Sequence, residues 1–183
     1  YKRQAREAGE MPVLLYNNPR RTHVNLEPDT VAKLAELDNV LGMKDSSGDM
    51  VLTMRYIDVT RDKNFSVLMG NDALLFSGLM VGAKGAVSAS ANVFPRLVSR
   101  IYEAAKTGGI DEARELQFKL LKFRLAFMRL GTFPAVVKEA MEMIGLPAGP
   151  PRLPVEPLTP QARETLKAIV DELMEVERCL GKG

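Results

Sequence analysis

Two side chains with transferable protons close short apolar runs: Tyr16 ends "PVLLY" (12–16) and Lys44 ends "NVLGMK" (39–44). A lysine at the end of a buried run loses part of its hydration, which favours the neutral amine. Such an amine can attack a carbonyl carbon and form a Schiff base. The alternative is a lysine whose stem lies along apolar surface while its head reaches water. Tyr16 has the same two readings, as a packed aromatic with its hydroxyl hydrogen-bonded or as a proton carrier. Neighbouring strands lie about 4.8 Å apart, so a tyrosine at one strand end can relay a proton to an intermediate held by a lysine at the next.

Other candidates surround these two. The loop "NNPRRTHVNL" (17–26) carries Arg20 and Arg21, and a guanidinium can hold a carboxylate through two parallel hydrogen bonds. A loop arginine is also commonly a solvated charge. His23 is the single histidine and has no ligand-type partner at metal-binding spacing, so it reads as a loop or packing residue. The segment "DSSGD" (45–49) lacks the glycines and lysine of a phosphate loop. As a helix start, with Ser47 or Asp49 as cap, it is fully accounted for. Cys179, the lone cysteine, has no internal disulfide partner. No metal or organic cofactor is implied.

The elements that must position these residues follow from the pattern. Four runs, at 12–16, 39–44, 65–70 and 85–88, are nearly continuous in apolar or small residues, the pattern of strands buried on both faces. Helical spacing fills 28–37, 49–61 and 72–83. Alternating strand and helix implies a parallel sheet. From 94 onward the pattern is helical only, at 94–109, 110–131, 134–145 and 159–181, with a Pro-rich link at 146–158. Thr159, Pro160 and Gly181 suit the N-cap, N1 and C′ positions of the last helix. In 110–131, Leu116, Leu120, Phe123 and Phe127 form one apolar stripe and Phe118, Leu121, Leu125 and Met128 another. Such a helix is expected between layers or at a subunit contact.

Four parallel strands fit either an open doubly wound sheet or half of a closed (β/α)8 barrel. The opening "YKRQAREA" is helix-forming without a cap, which favours the half-barrel with an earlier portion preceding Tyr1. The expected division is 1–106 for the barrel half and 107–183 for a C-terminal helical region. In both architectures ligands meet the C-terminal ends of the strands, where Tyr16, Lys44, Gly70 and Val87 fall.

The chain has 183 residues, 46% apolar and 26% charged, with 25 Lys and Arg against 23 Asp and Glu. One sizeable core is within reach, and the scattered charges leave no footprint for nucleic acid or anionic lipid. No apolar run reaches the roughly 20 residues of a membrane span, and no secretory signal opens the chain. A cytoplasmic protein is expected.

With "LLYNNPRRT", "GMKDSSGD", "LMGND" and "GAKGAVSASANVFP" in this order, the chain resembles the dihydrodipicolinate synthase and N-acetylneuraminate lyase family of class I aldolases over nearly all its length. The resemblance implies the second half of a (β/α)8 barrel with extra C-terminal helices. It implies that Lys44 forms a Schiff base with pyruvate or a related 2-oxo acid and that Tyr16 relays protons. Gly70 and Val87 match positions lining the 2-oxo acid pocket, and Arg21 matches an arginine that meets the carboxylate of aspartate semialdehyde. That favours a synthase for lysine biosynthesis over an aldolase or dehydratase for 2-keto-3-deoxy sugar acids. A further alternative is a non-catalytic half-barrel. His23 departs from the family, which commonly has glycine there. The family's Gly-Thr-Thr segment and a tyrosine donated across a dimer contact would precede Tyr1, so the 183 residues alone are expected to be inactive. A homo-oligomer, dimer or tetramer, is also implied.

Overall fold

A computed structural model describes residues 1–181. They divide into two compact units, Tyr1–Val87 and a second from Ser88 onward.

The first unit opens on helix α1 (Lys2–Glu7), as the uncapped start suggested. Strands β1 (Val13–Asn17), β2 (Val40–Asp45), β3 (Ser66–Met69) and β4 (Gly85–Ala86) pair in the order β1-β2-β3-β4, every neighbour parallel. Helices α2 (Pro19–Thr22) and α3 (Pro28–Leu34) connect β1 to β2, α4 (Met50–Val59) connects β2 to β3, and a 3-10 turn with α5 (Leu75–Met80) connects β3 to β4. Sequential order with one crossover per strand is the topology of half a (β/α)8 barrel rather than of a doubly wound sheet, whose strand order reverses.

Among the described residues the sheet is covered on one face. Leu15, Met43 and Val67 are buried in one core with Val31 and Leu34 of α3 and Tyr56 of α4. The residues that alternate with them point the other way, and there Leu14 is 53% and Tyr16 48% exposed. Side chains alternate across a strand, and here the core gathers on only one side. Among the described residues the apolar runs supply one core face, and the other face is left uncovered in this single half-barrel. β4 also shortens to two residues, and Val87 keeps a single ladder bond from its N–H to the Met69 carbonyl (2.9 Å).

Local chemistry fixes the element ends. The Asp49 carboxylate accepts from the N–H groups of Val51 (2.8 Å) and Leu52 (3.2 Å), capping α4. The segment 17–26, read as loop, holds the four-residue α2 behind Pro19 at N1. Asn39 ties α1 down by donating to the carbonyls of Ala5 (2.7 Å) and Gly9 (2.9 Å).

The second unit is helical: a 3-10 turn at Ser90–Asn92, then α6 (Pro95–Thr107), α7 (Ile110–Arg129), α8 (Phe133–Met143) and α9 (Pro160–Cys179). Gly108 closes α6 at φ 87°, a left-handed conformation that glycine adopts without steric cost. Thr159 caps α9, accepting from the Ala162 N–H at 3.2 Å, with Pro160 at N1. Of the two apolar stripes on α7, Leu116, Leu120, Phe123 and Phe127 are buried, and Phe123 meets Phe94 and Phe127 edge to face at 5.0 and 5.1 Å. Phe118 and Met128 of the other stripe are exposed in the single chain.

Candidate active site

Tyr16 and Lys44 come together as expected. They are register partners across the parallel β1–β2 pair, and Lys44 Nζ stands 4.6 Å from the centroid of the Tyr16 ring. Both lie on the sheet face away from the helices, Lys44 half-buried and Tyr16 more open. Asn18 Nδ2 donates to the Tyr16 hydroxyl oxygen at 3.0 Å. Burial pushes the Tyr16 hydroxyl up, but Ser46, Lys44 and Asn18 together hold it below the ordinary tyrosine value. Hydrogen bonds to the charged form and a facing cation favour phenolate. A phenol so placed can give and regain a proton beside the amine.

One residue further along, on the helix side of the sheet, lies a second pair that the sequence reading missed. Asn17 and Asp45 are each 1% exposed, and Asn17 Nδ2 donates to Asp45 Oδ1 at 3.0 Å. Asp45 Oδ1 also accepts from the Ser47 N–H (3.0 Å), and Oδ2 from the hydroxyls of Ser47 (3.0 Å) and Thr53 (2.6 Å). Asn17 Oδ1 accepts in turn from the Leu26 N–H at 3.0 Å. A buried carboxylate with this many donors is fully compensated. It joins β1, β2, the start of α4 and the end of the 17–26 loop. The segment 45–49 is therefore more than a helix start: Asp49 is the cap, while Ser47 serves Asp45. The available signal was a pair of polar residues, Asn17 and Asp45, each directly following a candidate site residue in an otherwise apolar strand.

Gly70 follows β3, and its N–H donates to the Asp45 carbonyl at 2.7 Å. A Cβ there would stand 2.0 Å from Ser46 Oγ, 2.8 Å from the Asp45 carbonyl oxygen and 2.9 Å from Lys44 Cε. Position 70 thus admits no side chain while Lys44 and Ser46 keep their places. Val87 follows β4 and is 44% exposed. Arg21 lies on α2, directly after β1, and is exposed, as is Arg20. His23 ends α2 at φ 60°. The left-handed conformation disfavours a side chain there, so His23 serves as a backbone cap.

Among the described residues no three His, Cys, Asp or Glu side chains are grouped to hold a metal ion, and no helix is long and apolar enough to cross a membrane. Two surface clefts, one around Leu37 and Lys63 and one around Glu142 and Pro150, include none of the residues at the strand ends.

Comparison with known proteins agrees with this fold. The model of the dihydrodipicolinate synthetase family matches residues 1–173. The chain is 40% identical over 174 residues to a 4-hydroxy-tetrahydrodipicolinate synthase of Methanothrix thermoacetophila, covering 95% of this chain and 59% of that protein. Against the enzyme of the same name from Archaeoglobus fulgidus the identity is 38%, with 94% and 59% covered. Among solved structures, dihydrodipicolinate synthase from Aquifex aeolicus superposes with a TM-score of 0.85 at 31% identity, covering 92% of this chain and 57% of that one. A family member from an E. coli K12 prophage, solved in complex with pyruvate, gives 0.87 at 30% identity, with 95% and 60% covered. The chain spans somewhat under three fifths of the length of these curated relatives. With the parallel half-barrel and the Tyr16–Lys44 pair in place, the chain belongs to the dihydrodipicolinate synthetase family.

Proposed function

We propose that these residues are the Schiff-base-forming part of a 4-hydroxy-tetrahydrodipicolinate synthase, a lyase that condenses pyruvate with aspartate semialdehyde in lysine biosynthesis. The observation that carries the reading is the register pairing of Tyr16 with Lys44 at adjacent strand ends. The neutral Lys44 amine adds to the pyruvate carbonyl carbon. Tyr16 gives its proton to the resulting carbinolamine oxygen, which leaves as water, and the C=N bond forms. The protonated imine draws electrons from the methyl carbon, whose proton passes to the Tyr16 phenolate, and the enamine attacks the aldehyde carbon, whose oxygen takes that proton back. The imine is its own electron sink, so no cofactor is called for. Arg21 holds the carboxylate of the aldehyde, and Gly70 and Val87 line the pyruvate pocket. The enzyme acts in the cytoplasm as a homo-oligomer.

The test is borohydride trapping of the intact protein with pyruvate, followed by peptide mass mapping. A reduced pyruvate adduct on Lys44 is expected. An unmodified Lys44, or an adduct on another lysine, overturns the assignment. Turnover of aspartate semialdehyde against a 2-keto-3-deoxy sugar acid then separates the synthase from a sugar-acid aldolase, and Arg21→Ala should impair the former selectively.

A further inference from the structure

Ser46 lies one residue beyond Asp45, on the same side of the sheet as Lys44, and has entered so far only as one of the groups that lower the Tyr16 hydroxyl. Its neighbour Ser47 is committed to Asp45, and Asp49 caps α4. Ser46 joins the framework through its backbone, its N–H donating to the Asn17 carbonyl at 2.8 Å. The Ser46 hydroxyl oxygen is buried and finds no hydrogen bond of good geometry. A buried hydroxyl left so is costly, and a rotatable O–H beside an active group is a reason to retain one.

Its surroundings show what it faces. The place a Cβ would take on Gly70 is 2.0 Å from Ser46 Oγ and 2.9 Å from Lys44 Cε. The missing side chain at position 70 is thus the space into which the serine hydroxyl projects, alongside the lysine stem. Across the strand pair, Tyr16 is the register partner of Lys44. We propose that Ser46 is a positioning residue for Tyr16: its hydroxyl turns onto the Tyr16 oxygen and holds the phenolate while the proton is away, and Gly70 leaves it room.

The step this serves rests on the proposed function. When the carbinolamine C–O bond breaks, the Tyr16 proton leaves with the oxygen as water, and the negative charge stays on the phenolic oxygen. The Asn18 Nδ2–H already points at that atom at 3.0 Å. Ser46 Oγ–H adds a second neutral donor, and the Lys44 nitrogen opposite becomes positively charged as the protonated C=N bond forms. Donors fixed in advance on a developing negative charge stabilise it without reorganising. The proximity of Ser46 also accounts for part of the lowering of the Tyr16 hydroxyl against the opposing effect of burial.

The experiment is a titration of Tyr16 by carbon-13 tyrosine NMR in the intact protein without substrate, with Tyr16→Phe identifying the resonance. Ser46→Ala should move the Tyr16 titration upward by about one pH unit, the size of one hydrogen bond to the charged form. Ser46→Thr, which keeps the hydroxyl, should restore the wild-type midpoint. The pH profile of pyruvate trapping at Lys44 should shift with the titration. If Ser46→Ala does not fold, Ser46→Cys, with its weaker donor, should shift the midpoint in the same direction. An unmoved Tyr16 titration overturns the inference, as does a Ser46→Thr shift as large as that of Ser46→Ala, which would trace the effect to volume. Because the titration needs no substrate, a missing Lys44 adduct would overturn the proposed function separately.

Discussion

Asn17 donates a 3.0 Å hydrogen bond to Asp45 across the β1–β2 pair, directly beyond the register partners Tyr16 and Lys44 and on the opposite face of the sheet. One pair of positions carries the proposed chemistry and the next locks the strands behind it. A slip of one residue would send all four side chains to the wrong faces, and the buried Asn17–Asp45 bond opposes such a slip.

Asp45→Ala should therefore damage both stability and site. The substitution strands the donors of Asn17, Ser47 and Thr53, a loss of about 3 kcal/mol. Urea denaturation of the first unit's transition measures it. A loss below about 1 kcal/mol would show that the network contributes little.

Gly70→Ala should abolish Schiff-base trapping while leaving the protein folded at reduced stability. The new methyl meets Ser46 Oγ, the Asp45 carbonyl and Lys44 Cε at once; the two side chains must turn away, and the carbonyl, being backbone, cannot retreat without moving β2. The expected cost is about 2 kcal/mol or more. Trapping at the wild-type rate in Gly70→Ala would contradict the close approach.

Tyr16 gives a pH dependence with a definite sign. Its native value lies below the ordinary 10.0, so the group contributes stability that is fully present above the unfolded value and lost as pH falls through the native one. Wild type should gain stability relative to Tyr16→Phe as pH rises into the alkaline range. Parallel stability profiles for the two proteins would refute it.

His23→Gly should stabilise the chain by up to about 1 kcal/mol, since glycine accepts φ 60° without the steric penalty of a side chain. A thermal melt reads the change. A lower melting temperature would assign His23 a contact beyond its backbone role.

In the second unit, Glu177 of α9 is buried and accepts from the N–H groups of Arg96 (2.8 Å) and Leu97 (2.9 Å), closing the start of α6. Glu177→Ala should cost about 2 kcal/mol and fray α6 first. Hydrogen exchange at Arg96 and Leu97 is the direct readout, and unchanged protection there would exclude the cap.

The sequence by itself determined the four strands alternating with helices, the helical second region and the placing of Tyr16 and Lys44 at strand ends, because these rest on local signals; the sequential strand order that separates a half-barrel from a doubly wound sheet came from the structure. Strand-ending residues, turn-forming Asp49 and the Thr159-Pro160 start of α9 act within a few positions of themselves. Only the tertiary structure decided which strand face is covered, since an apolar run reads alike whether helices lie on one side or both. It also decided that β4 holds two residues, that 17–26 contains α2, and that one α7 stripe alone is buried in this chain. The Asn17–Asp45 lock, the Ser46 hydroxyl beside Gly70 and the Glu177 cap join residues far apart in the chain, the last across 81 positions. No periodicity encodes such bonds, because their partners are chosen by how the elements dock and by the need to satisfy every buried polar group.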